Sequence, residues 1–379
     1  MAGKKQHYVP RFLQAGFRSL PAATGGAPRT WLYRRGAAPV EAALADVGHD
    51  AWFYTFRRGG ETVECADGAI TEAEREWMSG VVRQLRDDVS FDLTSSRLGV
   101  AHLLSHLVIR NRATWRLIEA PTAPLFDRLR DAVSDQAWLA ELLKRLLAEH
   151  RDFFEETLST MLPGADIPAL LIQAEAALAT GDAPAPSESA VAVLNHLQDA
   201  IAPRVLKVFR VRALVEGLSN PGEYKLFTGC SFKVVRNTEG RLIQGDTPVV
   251  FHRADGLGFT PLPYEGEDFD YAYLPLSPSA VLVASKGGAP ESWDALREGS
   301  AVCSHTYFIG AEERPEFAAL AESIATNFPA PSQPQLERMF GDVMDVAGTL
   351  DLEDPELLRA LETILTDAQK VSPPRLTSA

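Results

Sequence analysis

Cysteine is scarce in this chain of 379 residues, which holds Cys65, Cys230 and Cys303 alone. Their odd number and wide spacing point to reduced structural thiols and argue against a disulfide framework or a zinc knuckle. No apolar run approaches the ~20 residues of a membrane span. The first residues lack the apolar core of a secretory signal, which predicts a cytoplasmic protein that enters no membrane. There is no Walker loop, no Gly-x-Gly-x-x-Gly turn after a strand, no Gly-x-Ser-x-Gly elbow and no kinase motif set. Nucleotide-driven motors, dinucleotide oxidoreductases and the common serine hydrolases are thereby disfavoured. No internal repeat is visible.

Acid is absent from residues 1–40, which carry seven basic side chains (Lys4, Lys5, Arg11, Arg18, Arg29, Arg34 and Arg35). The remaining residues hold 30 basic against 51 acidic side chains, a balance of −21 within a net charge of −14. A long nucleic acid would meet a repelling overall field, so it could bind only through a local basic groove. The basic segment could equally dock on its own acidic body. An oligomeric or protein partner stays open as well.

What the chain has in quantity is core-forming material. A 46% hydrophobic content over this length suits two or three domains. The pattern predicts an α+β fold: a helical middle region packed with a mainly antiparallel, β-rich second half, and an N-terminal segment docked on the body. The expected divisions are 1–69 (signature and short strands), 70–220 (helical), 221–312 (β-rich), 313–370 (C-terminal helices) and 371–379 (a disordered tail).

The opening Gln6-His7-Tyr8-Val9-Pro10-Arg11-Phe12-Leu13 is unusually rich in polar and aromatic groups. Val9 precedes a proline and is pushed toward extended geometry, while Pro10 is tolerated in a first helical turn, so a short helix should start near Pro10. Phe12, Leu13 and Phe17 would form its apolar side, with Gly16 as its exit. His7 and Tyr8 would sit at its N-terminal end, where unpaired N–H groups favour an anion. A hydrophobic plug with both as satisfied polar neighbours is the alternative.

Farther along, 29–34 and 52–56 read as strands, and Thr71 opens a helix to about Leu85. Residues 95–117 and 136–160 have helical apolar spacing, and 188–217 do so around Pro203. In the second half, 232–236 and 242–251 read as a hairpin whose return strand is an edge or bulged at Pro248. Two strands at 271–276 and 280–284 should pair, a last strand is expected within 302–308, and helices follow at 315–328 and 355–365.

Four constellations could carry chemistry. His102 and His106, with Arg110 one turn on, share a helix face; two imidazoles at that spacing suit a metal, but no zinc-protease Glu stands beside His102. Arg110, Arg112 and Arg116 offer planar forks for phosphate or carboxylate, with ordinary ion pairing as the alternative. Asp246-Thr247-Pro248 breaks the rules of a strand interior, which marks either a strained functional site or a turn whose carboxylate accepts backbone N–H groups.

The opening His7-Tyr8-Val9-Pro10-Arg11-Phe12-Leu13 with Gly16-Phe17 resembles the start of a widespread, mostly bacterial family of unknown function with an N-terminal His-Tyr-Val-Pro signature. Leu242–Val250 is similar to that family's Ser-Asp-x-Pro-Val segment, and Tyr273–Pro278 to its Pro-Leu-Ser-Pro segment. The likeness spans most of residues 4–310. Gly245 stands where the family usually has Ser, and Glu298-Gly299-Ser300 where an Asn is expected.

The resemblance suggests the fourth constellation, a convergence of His7, Tyr8, Arg112 and Asp246 in which His7, Arg112 and Asp246 are the catalytic set; Tyr8, Arg11, Arg110 and Thr247 are the candidate binding residues. Such a set could hydrolyse a phosphodiester, His and Asp forming the base and Arg meeting the phosphate charge, with a divalent metal ion as candidate cofactor. The other reading is a non-catalytic ligand-binding or protein-interaction module.

Overall fold

The computed structural model describes residues 5–19, 26–58, 61–88, 90–119, 166–180, 226–263 and 268–327, with isolated positions between 144 and 164 and between 211 and 215. The chain divides into two compact units, Met1–Ala120 with Leu206–Pro331, and Pro121–Val205 with Ser332–Ala379. The helices expected at 136–160, 188–217 and 355–365 and the tail 371–379 lie largely or wholly outside the described residues. In the second unit the described helix is Ile167–Thr180, whose Ile167, Leu171 and Leu178 pack with Leu147.

The first unit is an α+β assembly. Its strands are β1 (Lys5–His7), β2 (Arg29–Tyr33), β3 (Val40–Ala43), β4 (His49–Ala51), β5 (Thr55–Arg58), β6 (Glu61–Cys65), β7 (Ser231–Arg236), β8 (Gln244–Gly245), β9 (Val250–Arg253), β10 (Phe259–Thr260), β11 (Phe269–Ser277), β12 (Ala280–Ser285) and β13 (Phe308–Gly310). A five-stranded antiparallel sheet runs β10-β9-β11-β12-β7, a four-stranded one β3-β2-β13-β8, and β1-β4 and β5-β6 are separate pairs. The helices of this unit are α1 (Arg11–Gln14), α2 (Asp67–Ala73), α3 (Ser79–Asp87), α4 (Arg97–Arg110), α5 (Arg112–Glu119), α7 (Trp293–Val302) and α8 (Pro315–Leu320), and α6 is the Ile167–Thr180 helix of the second unit. No helix among the described residues is long and apolar enough to cross a membrane.

Strand periodicity divides the large sheet's side chains between two cores. Phe251, Phe269, Leu274, Leu276 and Leu282 face Val82, Leu85, Leu103, Leu104 and Leu107 of α3 and α4. Val250, Tyr271, Tyr273, Val281 and Val283 face the opposite way, into a core that includes Leu296 of α7 and Tyr8, Val9 and Phe17 of the opening segment. The N-terminal docking expected from sequence is therefore built on apolar burial.

Helix α1 begins just after Pro10, whose φ of −60° and ψ of 138° end the extended run. Two buried amides hold the segment down. Gln6 donates to Thr55 Oγ1 at 2.7 Å and accepts from Tyr54 N at 2.6 Å, while Gln14 donates to Val9 O at 2.8 Å. Gly16 serves a different purpose from the helix exit expected of it. A Cβ there would stand 2.0 Å from Leu276 O, so glycine lets the segment press onto β11. Gly16→Ala is expected to cost about 1–3 kcal/mol of unfolding free energy, measured by urea denaturation, because backbone must shift to admit the methyl group.

Three expectations are corrected. The 232–251 hairpin does not form: β7 pairs with β12 (Val235↔Val281), β8 with β13 (Ile309↔Gln244), and β9 with β11. The buried Asp246 and the proline at 248 interrupt the extended run, so its two halves join different sheets. The 95–117 helix breaks at Asn111 (ψ 157°), whose Nδ2 donates to Val108 O at 2.8 Å and satisfies a terminal carbonyl. The last strand is Phe308–Gly310, and the region before it is α7 and a loop. The predicted pairing of 271–276 with 280–284 is the β11–β12 ladder. Cys65, Cys230 and Cys303 are free thiols.

Candidate functional site

Asp246 is the centre of a buried polar cluster. Just past β8, its backbone N–H donates to Tyr307 O at 3.1 Å. Its carboxylate receives His305 N at 2.6 Å on Oδ1, and Thr306 N at 2.8 Å and Thr306 Oγ1 at 2.6 Å on Oδ2. The loop before β13 thus wraps the carboxylate, which satisfies N–H groups that no strand partner reaches. Burial pushes the Asp246 carboxyl up to about 6, against the opposing pull of Thr306, His305 and the Arg112 guanidinium. Neighbouring Thr247 is buried too, and its Oγ1 has no hydrogen-bond partner among the described residues. Gly245 has no room for the Ser of the resembled pattern, since a Cβ would lie 2.4 Å from Ser304 Oγ.

Tyr8 reaches this cluster from the opening segment. Its hydroxyl is pushed up to about 12, first by burial and then by the charges of Asp246 and Asp50. Tyr307 Oη lies beside it and lowers it somewhat. The buried Tyr307 hydroxyl has no other hydrogen-bond partner among the described residues. Burial, Tyr8 and Asp246 together raise Tyr307 well above the ordinary phenol range. Gly48, with φ of +70°, makes room: a Cβ there would stand 2.8 Å from Tyr307 Oη.

Arg112 flanks the cluster, its charge acting on Asp246, Tyr8 and His305. The break at Asn111 starts α5 there, and Arg112 and Arg116, four residues apart, share one of its faces. Arg112 Nη1 is 3.5 Å from Asp50 Oδ2, and both side chains are about a third exposed (32% and 38%). The half-buried His305 imidazole is held down at about 4, by burial first and then by Arg112 and Arg116. It is neutral at pH 7.

Of the residues singled out in the sequence, Tyr8, Arg112, Asp246 and Thr247 belong to this cluster. The neighbours of His7 are different: its Nδ1 is 3.1 Å from Val47 O, its ring stands edge-on to His49, and burial, His49, Arg11 and Arg110 shape its titration, which drops to about 4. Arg11 is exposed on α1. Arg110 is buried and engaged with Tyr54, Glu74 and the His7 carbonyl, so it braces the segment. His102 packs on Trp77 with ring centroids 4.5 Å apart, and His106 is buried with its Nε2 lacking a hydrogen-bond partner among the described residues. Among the described residues no group of three or more His, Cys, Asp or Glu side chains is placed to hold a metal.

Asp50, His305 and Tyr307 were missed in the sequence. The one signal left by His305 and Tyr307 is a polar, aromatic Ser-His-Thr-Tyr run immediately before an apolar strand, in a register that periodicity alone does not distinguish from a loop.

A family model described as "Protein of unknown function (DUF4238)" matches residues 5–299. No curated protein and no solved structure matches the chain.

Proposed function

The chain belongs to that DUF4238 family of unknown function, and we propose that it is a phosphodiester hydrolase acting through Tyr8, Arg112, Asp246 and His305. The observation that carries this reading is the meeting of a guanidinium, a buried carboxyl raised toward neutrality and a phenol, delivered by three segments far apart in sequence. Clustering of perturbed titratable groups from distant segments is a mark of chemical sites.

In this reading Arg112 and Arg116 meet the phosphate oxygens, Arg112 in the fork geometry that suits them. The neutral His305 takes the proton of a water as its oxygen attacks phosphorus. The bond from phosphorus to the leaving oxygen breaks, and the Tyr8 hydroxyl supplies the proton that oxygen needs; solvent returns the proton from His305 to Tyr8. Asp246 holds the His305–Tyr307 loop and places a negative charge beneath the cation. The base role that sequence reasoning gave His7 passes to His305, and a divalent ion stays a candidate cofactor.

A second reading, a non-catalytic binding module, draws on the same carboxylate. Three hydrogen bonds from within the chain make Asp246 a competent loop clasp without any chemistry.

Turnover of bis(p-nitrophenyl) phosphate, single-stranded DNA and RNA by the full chain, with magnesium, manganese or chelator, separates the two. Arg112→Ala and His305→Ala are each expected to lower kcat/KM at least ~100-fold with nearly unchanged Tm. Phosphodiester binding without turnover favours the binding module, and turnover insensitive to both substitutions rejects the assignment.

A further inference from the structure

A cleft of about 440 Å³ opens on the outer part of the five-stranded sheet, between β7, β12, the 286–292 loop and α7. It shares no lining residue with the Asp246 cluster, and its volume falls in the range of small-molecule sites.

The floor consists of three cross-strand pairs in register: Val235 with Val281, Lys233 with Val283, and Ser231 with Ser285. Polarity therefore changes along its length, from two valines at one end to two hydroxyls at the other. Trp293 and Leu296 of α7 wall the apolar end. The opposite wall is pinned. Ser285 Oγ donates to Gly288 O at 2.6 Å and accepts from Gly287 N at 3.0 Å, and Lys286 N donates to Asp270 O at 2.9 Å. Gly288 is pressed so closely onto β11 that a Cβ would lie 2.6 Å from the Asp270 Cβ. Such a cleft is formed before any ligand arrives.

Charge narrows the occupant. The nearby ions neutralise one another, Lys286 with Asp268 at 2.6 Å and Arg297 with Asp294 at 2.5 Å. Lys233 and Glu291, which both line the cleft, form no ion pair among the described residues. A monoanion would meet Lys233 but be repelled by Glu291, and a monocation would suffer the reverse. A molecule carrying both charges beside an apolar group satisfies every wall.

We propose that this cleft binds a free α-amino acid with an aromatic or branched apolar side chain, its carboxylate on Lys233, its ammonium on Glu291 and its side chain against the half-buried Val235 and Trp293. The site is independent of the hydrolase reading and survives its failure.

Isothermal titration of the full chain with L-leucine and L-phenylalanine tests it, against N-acetyl-L-leucine, which lacks the ammonium, and L-leucinamide, which lacks the carboxylate. Lys233 and Glu291 are exposed, so Lys233→Met and Glu291→Gln should fold with unchanged Tm. At least one parent amino acid is expected to bind, and loss of either ligand charge or either protein charge to weaken binding at least ~10-fold. No binding of either parent at about 10 mM overturns the proposal. So does equal binding of the charge-deleted analogues, or binding that both substitutions leave untouched.

Discussion

Arg110→Ala is expected to lower the unfolding free energy by about 3–5 kcal/mol, read by urea denaturation. Arg110 is 2% exposed, and its guanidinium serves three groups at once: the Tyr54 hydroxyl, the Glu74 carboxylate and the His7 carbonyl. It also lies over the Tyr54 ring, 5.3 Å from its centroid. Truncation leaves Glu74, a quarter exposed, without its cation, and frees the β1 carbonyl that ties the opening segment to α4. Limited proteolysis should then cut ahead of α1 sooner than in the parent protein. Arg110→Lys is expected to recover only part of the loss, since one ammonium cannot reach acceptors arranged around a planar fork. A loss below about 1 kcal/mol for the alanine variant would show that apolar packing alone docks the segment.

Asp246→Ala is expected to cost about as much, 3–5 kcal/mol, for a different reason. Its carboxylate receives two backbone N–H groups and a hydroxyl, and their removal leaves each donor in the interior at about 1–3 kcal/mol. Asp246→Asn keeps one acceptor oxygen but turns an NH2 toward a donor, so it should fall between the parent and alanine.

The dependence on pH carries a sign that identifies the group. With its folded value raised from 3.8 to about 6, Asp246 holds its proton in the folded state through a window where the unfolded chain has lost it. Its ionisation therefore removes stability as pH rises from about 4 to 6, by up to about 3 kcal/mol. His7 and His305 act oppositely. Their folded values of about 4 lie below 6.5, so the folded state binds fewer protons than the unfolded chain and stability grows as pH rises from 4 to 6.5. The terms partly cancel in the parent protein. In Asp246→Asn the opposing carboxyl contribution is gone, so unfolding free energy should climb more steeply across pH 4–6.5. A slope equal to the parent's would mean that the buried carboxyl titrates at its ordinary value.

Much of the local structure was legible in the residues. Pro10 announced the start of α1, and the β-branched, apolar runs at 271–276 and 280–284 announced a pair joined by a short turn. Asp246-Thr247-Pro248 announced a break in a strand. Local covalent and steric rules govern each of these, and they act within a few residues.

Partner choice was not legible. The period-2 pattern that marks 232–236 and 242–251 as extended is the same whether they pair with each other or with strands from elsewhere, and in the folded protein β7 chose β12 while β8 joined β13. Asn111 looked like one more residue in a helix, yet its break sends Arg110 into the core and turns Arg112 toward the carboxylate.

Sequence by itself determined that the chain is an α+β protein with an anchored opening segment, because hydrophobic periodicity and proline stereochemistry are properties of neighbouring residues. Only the tertiary structure decided which groups surround Asp246. Its hydrogen-bond donors stand 59 and 60 positions away and Tyr8 comes from the far end of the chain, a meeting produced by two sheets sharing one core.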